Sequence, residues 1–292
     1  MSRSEGLESG RIDSQTRFVT RTLPRPRSSA SLLHSALGTT RRDLSLCLDL
    51  YNHRVLTTPQ IFELRFNSVR RTQDRLLILQ QRGILDRFRP FRSTGSHPWH
   101  YILGEAGIDV VASWRGVERK DLGIRMDRLR SIAYSPRLDH LVEVNGFFCR
   151  LAYRCRSTEL RLSDWWSERR CAAEWEGMVR PDGLGRLHGP GIDVRFFLEL
   201  DRGTESSSRL EEKLARYARV ARASDAPDAL LFMFPTERRE AEARRALFNC
   251  GMRVLTGSRG QAGQDPLSAS WLPVGGEGRV QIADVGSARR VG

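Results

Sequence analysis

Three carboxylates carry the strongest chemical signal in this 292-residue sequence. Glu199 and Asp201 close an apolar run, Val194, Phe196, Phe197 and Leu198, whose composition is that of a buried strand. Residues two apart on a strand share a face, so the two carboxylates point the same way. Asp182 follows Pro181 and precedes a glycine-rich stretch, "DGLGRLHGPG". If that stretch turns a hairpin, Asp182 comes opposite the end of the second strand. It lacks the GxxxxGK[ST] spacing of a phosphate loop and opens no helix, so a turn is the better reading. Packed carboxylates repel and resist desolvation, and a cation belongs among them. Hard oxygen ligands suit Mg²⁺ or Mn²⁺, which would activate water and steady charge on a phosphodiester oxygen.

A side chain offers an alternative cation. Lys213, the only lysine in the second half, stands one helical turn before Tyr217, so the two share a face. If that helix packs on the sheet, Lys213 reaches the carboxylates. The competing reading is structural, with Arg202 or Lys213 neutralising Glu199 and Asp201 in an ion-pair network.

These residues need a sheet and helices to hold them. Ser206 caps a helix with Leu210, Leu214 and Tyr217 on one side; "DALLFMFP" reads as a buried strand and "TERREAEARRALF" as a charged helix. "MRVLTG" is a further strand and "SASWLPV" an edge strand. Hairpin, helix, strand, helix, strand implies an α/β layer with a mixed sheet over 135–275, introduced by a helix from Ser135-Pro136. His140 lies beside that helix's apolar stripe and reads as a packed residue. The stretch "LSDWWSERRCAAEWEGMV" yields no clear element. Its Trp165 and Trp166 read as hydrophobic anchors, which for a partner-binding module would be the interaction surface.

The first half has a different pattern. Residues 1–40 are polar and read as a disordered basic arm. Over 41–116 come three helices: one around Leu44 to Tyr51, one opened by Thr57-Thr58-Pro59, and one capped at Asn67-Ser68 and stopped at Gly83. A hairpin with a polar tip follows. This is a winged helix-turn-helix pattern, and the fold class is α+β, a winged helix followed by the mixed-sheet domain. The third helix would enter a major groove through Arg70, Arg71, Gln73 and Arg75. Arg87, Arg89 and Arg92 on the wing would touch backbone. Val69, Leu76, Leu77 and Leu79 form the helix's apolar face. A charged linker, 117–134, separates the halves, and a flexible tail covers 276–292.

Composition supports a nucleic-acid partner, double-stranded DNA. The chain carries 48 Lys+Arg against 35 Asp+Glu, a net +13. Residues 1–130 hold 23 basic and 13 acidic side chains, the remainder 25 and 22, so the excess sits in the half with the winged helix. Five cysteines lack zinc-type spacing and fit a reducing cytoplasm. No apolar run approaches transmembrane length, and no signal-peptide core opens the chain, so no membrane partner is expected.

The order winged helix, "LDHLVEVN", then "RPDG…FFLELDRGTES…KLARY" resembles the replication-relaxation family of actinobacterial plasmids and integrated mobile elements. The resemblance covers roughly residues 45–255, and "ELDRGTES" followed by "KLARY" is its most specific part. It implies a DNA-binding protein tied to plasmid replication, mobilisation or their control, acting as a homodimer or with replication and mobilisation proteins. The second half also resembles the PD-(D/E)xK nuclease layout of the restriction-endonuclease-like fold. Asp182 and Glu199 match its two acidic positions. The lysine that layout expects two residues after Glu199 is Asp201 here, and Lys213 stands as a migrated substitute. Tyr217 is the positional candidate for relaxase-type attack, without the histidine-rich metal triad that would accompany it. Two readings follow: a metal-dependent nickase using Asp182, Glu199, Asp201, Lys213 and Tyr217, or a non-catalytic regulator or replication accessory factor with a degenerate nuclease-like domain.

Overall fold

The structure is a computed structural model that describes residues 38–90, 95–203, 205–222 and 226–287. Its first helix, α1 (Arg41–His53), starts at Thr40, whose hydroxyl accepts from the Asp43 amide while the Asp43 carboxylate takes the Thr40 amide at 2.6 Å. This reciprocal cap satisfies two donors that a helix start otherwise leaves open. α2 (Thr58–Arg65) carries proline in its first turn, where no hydrogen bond is lost. α3 (Val69–Gln81) is capped by the Ser68 hydroxyl and released at Gly83, whose φ of 67° is a left-handed value that glycine adopts without strain. Strands β1 (Leu56–Thr57), β2 (Leu85–Phe88) and β3 (His100–Leu103) make a small antiparallel sheet in the order β1-β3-β2, and α4 (Glu105–Arg115) follows β3.

α3 turns a narrower apolar stripe inward than its composition suggests. Thr72, Leu76 and Leu79 are buried, whereas Val69 and Leu77, expected on the inner face, are exposed at 54% and 43%. Val69 is the first residue of α3. The helical period carries Leu77 a third of a turn from Leu76.

The second sheet has six strands in sequential order: β4 (Arg161–Ser167), β5 (Gly183–Gly189), β6 (Ile192–Leu200), β7 (Ala229–Phe234), β8 (Arg253–Ser258) and β9 (Leu272–Pro273). β4, β5 and β6 form an antiparallel meander, β6, β7 and β8 run parallel, and β9 returns antiparallel at the edge. The parallel steps require crossovers, supplied by α8 (Ser207–Val220) and α9 (Glu237–Ala243). The strand β4 and the short helix α7 (Glu168–Glu174) occupy the tryptophan-rich stretch whose periodicity is mixed. Trp165 is 2% exposed and stacks on His53 and Phe148, so it belongs to the core and is no partner anchor.

β6 separates two apolar layers. Phe196, Leu198 and Leu200 face α6 (Leu138–Cys155); Phe197 faces Leu210, Leu214 and Tyr217 of α8, spaced by one helical turn each. Burying each of the last three contributes roughly 2 kcal/mol.

The two expected halves share one core. One apolar cluster runs from Leu44 of α1 through Leu122, Leu129 and Ile132 to Phe196 and Val285. The presumed linker, 117–134, holds the helix α5 (Met126–Ser131) and two 3₁₀ turns, with those three apolar residues inside the core. The presumed flexible tail is ordered as far as Ser287: Val280 pairs with Trp271, and Ile282 is fully buried. Polar stitches reinforce the union. Gln60 donates to the Val142 carbonyl at 2.6 Å, and Asn145 donates to the Val55 carbonyl at 2.7 Å. Most of the expected basic arm, and residues 288–292, lie outside the described residues. Among the described residues no helix is long and apolar enough to cross a membrane.

Candidate functional site

The β5–β6 register pairs Gly183 with Leu198, which carries Asp182 to the C-terminal end of β6. There the Leu200 amide donates to Asp182 Oδ2 at 2.7 Å. The other oxygen, Oδ1, meets His140 Nε2 of α6 at 2.7 Å. That hydrogen bond raises the His140 pKa despite the ring's burial. His140 therefore faces a carboxylate, which its place beside an apolar stripe does not reveal.

Glu199 lies beneath α8 and is 5% exposed. Its Oε2 accepts from Lys213 Nζ at 3.0 Å, and its Oε1 accepts a short hydrogen bond from the Tyr217 hydroxyl. One turn of helix sets both donors over the strand end. Burial pushes the Glu199 carboxyl up to about 7; the Lys213 charge pulls against it and the Asp182 charge pushes with it. Lys213 also reaches Glu205 Oε1 at 2.9 Å. Burial works against its charge, but Glu199 and Glu205 outweigh that and raise its pKa. Tyr217 is 1% exposed, and burial, with the Glu199 charge, pushes its phenol well up. A buried, protonated phenol that donates to a carboxylate positions Glu199; it is not arranged to attack a phosphodiester.

Asp201 goes elsewhere. Although it shares a strand face with Glu199, Arg239 of α9 grips its Oδ2 through Nη2 at 2.8 Å and Nε at 3.1 Å. The Gly203 amide caps Oδ1, and Arg239 also donates to the Glu205 carbonyl at 2.5 Å. The structural alternative holds here, with Arg239 in the place foreseen for Arg202 or Lys213. No local pattern links residues 38 apart in sequence, so only the fold could find this pair.

The carboxylates therefore divide. Among the described residues no three His, Cys, Asp or Glu side chains gather as a metal ion requires. Asp182 and Glu199 remain as two hard carboxylates near enough to repel, with an ammonium in reach. Mg²⁺ is commonly held by one or two carboxylates, with water and substrate phosphate completing its shell. Each of the four oxygens of Asp182 and Glu199 already accepts a hydrogen bond, so an ion there would have to displace donors; Asp201 is bound to Arg239.

The expected DNA-contacting residues also divide. Arg70, Arg71 and Gln73 are exposed on α3. Arg75 is turned inward, where it pairs with Asp43 Oδ2 at 2.5 Å and donates to the Gly38 carbonyl at 3.0 Å. It braces α3 against α1 and leaves the contact set. Arg87 and Arg89 each lie 4.2 Å from the Trp99 ring centre, and Arg92 falls outside the described residues.

A family model described as replication-relaxation matches residues 48–230. No curated protein matches the sequence. Among solved structures, the restriction endonuclease FokI bound to DNA is similar at 12% identity and a TM-score of 0.24. That similarity covers 75% of this chain and 43% of the other, so the chain spans less than half of that protein.

Proposed function

This chain belongs to the replication-relaxation family, and on that premise we propose that it binds double-stranded DNA in the replication or mobilisation of a plasmid or mobile element. In this reading the three helices and the β1-β3-β2 sheet act as a winged helix. α3 lies in the major groove, and Arg87 and Arg89, ordered on Trp99, face the backbone. The observation that carries it is the outer face of α3, where Arg70 and Arg71 make no ion pair among the described residues. Unneutralised arginines beside an amide side chain are the equipment of phosphate and base-edge contact.

A second reading, metal-dependent nicking, is favoured by the meeting of Asp182, Glu199 and Lys213 at one strand end. Mg²⁺ or Mn²⁺ would be held by Asp182 and Glu199 and would supply Lewis-acid stabilisation of phosphodiester charge. His140 holds the Asp182 carboxylate in place, Tyr217 orients Glu199, and Lys213 presents a positive charge toward an incoming phosphate.

One experiment addresses both readings. Supercoiled plasmid is incubated with wild-type protein, Glu199→Gln and the double variant Arg70→Ala, Arg71→Ala, with Mg²⁺, Mn²⁺ or EDTA. Retardation lost only in the arginine variant supports duplex binding through α3; equal retardation by all three proteins refutes it. Metal-dependent relaxation lost in Glu199→Gln supports nicking, and intact plasmid under every condition refutes it and leaves a replication accessory factor or regulator.

A further inference from the structure

A cavity of about 440 Å³ opens between the end of α1, the start of α6 and α7. Its walls are apolar at Ile132, Leu141, Val144 and Ala172. Its rim carries Arg54, Arg169 and Arg180, all exposed. None of these three has a carboxylate partner among the described residues, whereas the fourth rim arginine, Arg137, pairs with Glu168 at 3.1 Å. The two carboxylates of the same lining, Glu168 and Asp182, are engaged by Arg137 and His140. Burial, and then the charges of Arg169 and Arg128, lower the Arg54 pKa. Arg54 also holds a φ of 69°, a left-handed value costly for a residue with a side chain. The floor holds Asp182 and His140, whose Nδ1 is buried without a partner among the described residues.

We propose that this cavity binds a single nucleotide through its 5′-phosphate. The three arginines would take the phosphate, the apolar walls the sugar and base, and His140 Nδ1 a polar group of the ligand. Arginine forks match phosphate oxygens in geometry and charge. The volume lies within the range of small-ligand sites and suits one nucleotide rather than a strand segment. The mixed lining points the same way, because inorganic phosphate leaves the apolar walls unused. The ligand is either a free mononucleotide or the terminal nucleotide of a 5′-phosphorylated strand.

Calorimetric titration of the full chain tests this. The probes are deoxythymidine 5′-monophosphate, deoxythymidine, inorganic phosphate, and a short single strand with a 5′-phosphate or a 5′-hydroxyl. The variant Arg70→Ala, Arg71→Ala serves as background, so that duplex contact by α3 does not contribute. Arg54→Gly removes one guanidinium from a backbone conformation that glycine adopts freely. Arg169→Ala removes a second, and Arg216→Ala on α8 is the control. The expected result is binding of the mononucleotide, the 5′-phosphorylated strand or both, at least about tenfold weaker in Arg54→Gly and Arg169→Ala and unchanged in Arg216→Ala. Binding of the strand alone identifies the strand end as the source. Loss of the phosphate preference, loss of binding in the control, or no binding overturns the proposal. Because α3 is already disabled in the background, failure here leaves the duplex-binding reading standing.

Discussion

Replacing Lys213 by methionine tests the electrostatics of the strand end. The substitution keeps most of the side chain's length and removes the ammonium that lies 3.0 Å from Glu199 Oε2. Breaking a buried pair typically costs about 3–5 kcal/mol, because the remaining charge is uncompensated. The Lys213 side chain keeps 27% exposure, so the expected cost is near the lower limit, about 3 kcal/mol at pH 8. That cost depends on pH. In the wild type, Glu199 titrates at about 7 when folded against an ordinary 4.5. A carboxyl raised on folding favours the folded state at low pH and loses that contribution as pH rises through the folded value. Between pH 6 and pH 8 this loss is on the order of 1 kcal/mol. Without Lys213, the Glu199 carboxyl moves higher, the full slope applies across that window, and the loss about doubles. The cost of Lys213→Met should therefore be larger at pH 8 than at pH 6, by on the order of 1 kcal/mol. Adding Glu199→Gln should abolish that pH dependence and return part of the stability. Urea unfolding of the four proteins at both pH values measures it. A pH-independent cost, or strict additivity of the two substitutions, would refute the assignment of Glu199 and Lys213 as a coupled buried pair.

Three further outcomes are expected. Arg75→Ala should cost about 3 kcal/mol of stability, since Asp43 is left 1% exposed without its partner. Exposed Arg71→Ala should cost under about 0.5 kcal/mol, and equal losses in denaturant melts would contradict the inward role of Arg75. For duplex binding, removing Arg70 and Arg71 together should shallow the slope of log affinity against log salt by about 2 in a titration by fluorescence anisotropy; an unchanged slope would place the phosphate contacts elsewhere. Gly185→Ala should lower stability by about 2 kcal/mol, because a Cβ there would meet the Phe196 ring at 2.3 Å in a packed layer; a melting temperature within a degree of wild type would show that the ring has room to move.

The elements were legible wherever local chemistry marks them. Ser68 and Ser206 at helix starts, Gly83 at a helix stop, and the apolar run of β7 follow from cap, turn and burial rules that act within a few residues. β4 was not legible, because Trp165 and Trp166 face opposite sides of a strand that the charged α7 follows without a turn signal. Of the site, Glu199 with Lys213 could be read from strand and helix periodicity. The fates of Asp201 and Arg75 could not, since Arg239 and Asp43 approach them only through tertiary packing. For the same reason the sequence pointed to a linker where Leu122, Leu129 and Ile132 join a core.

That shared core makes a ruler of the molecule. Gln60 and Asn145 fasten the N-terminal helices to the same α6 that presents His140 to Asp182. A duplex seated on α3 would therefore meet the carboxylate end of β6 at one fixed offset along its axis. In proteins with tethered modules, the distance between the bases read and the bases acted on varies with the length of the tether. Here that distance would be a constant of the fold, the same number of base pairs at every bound site.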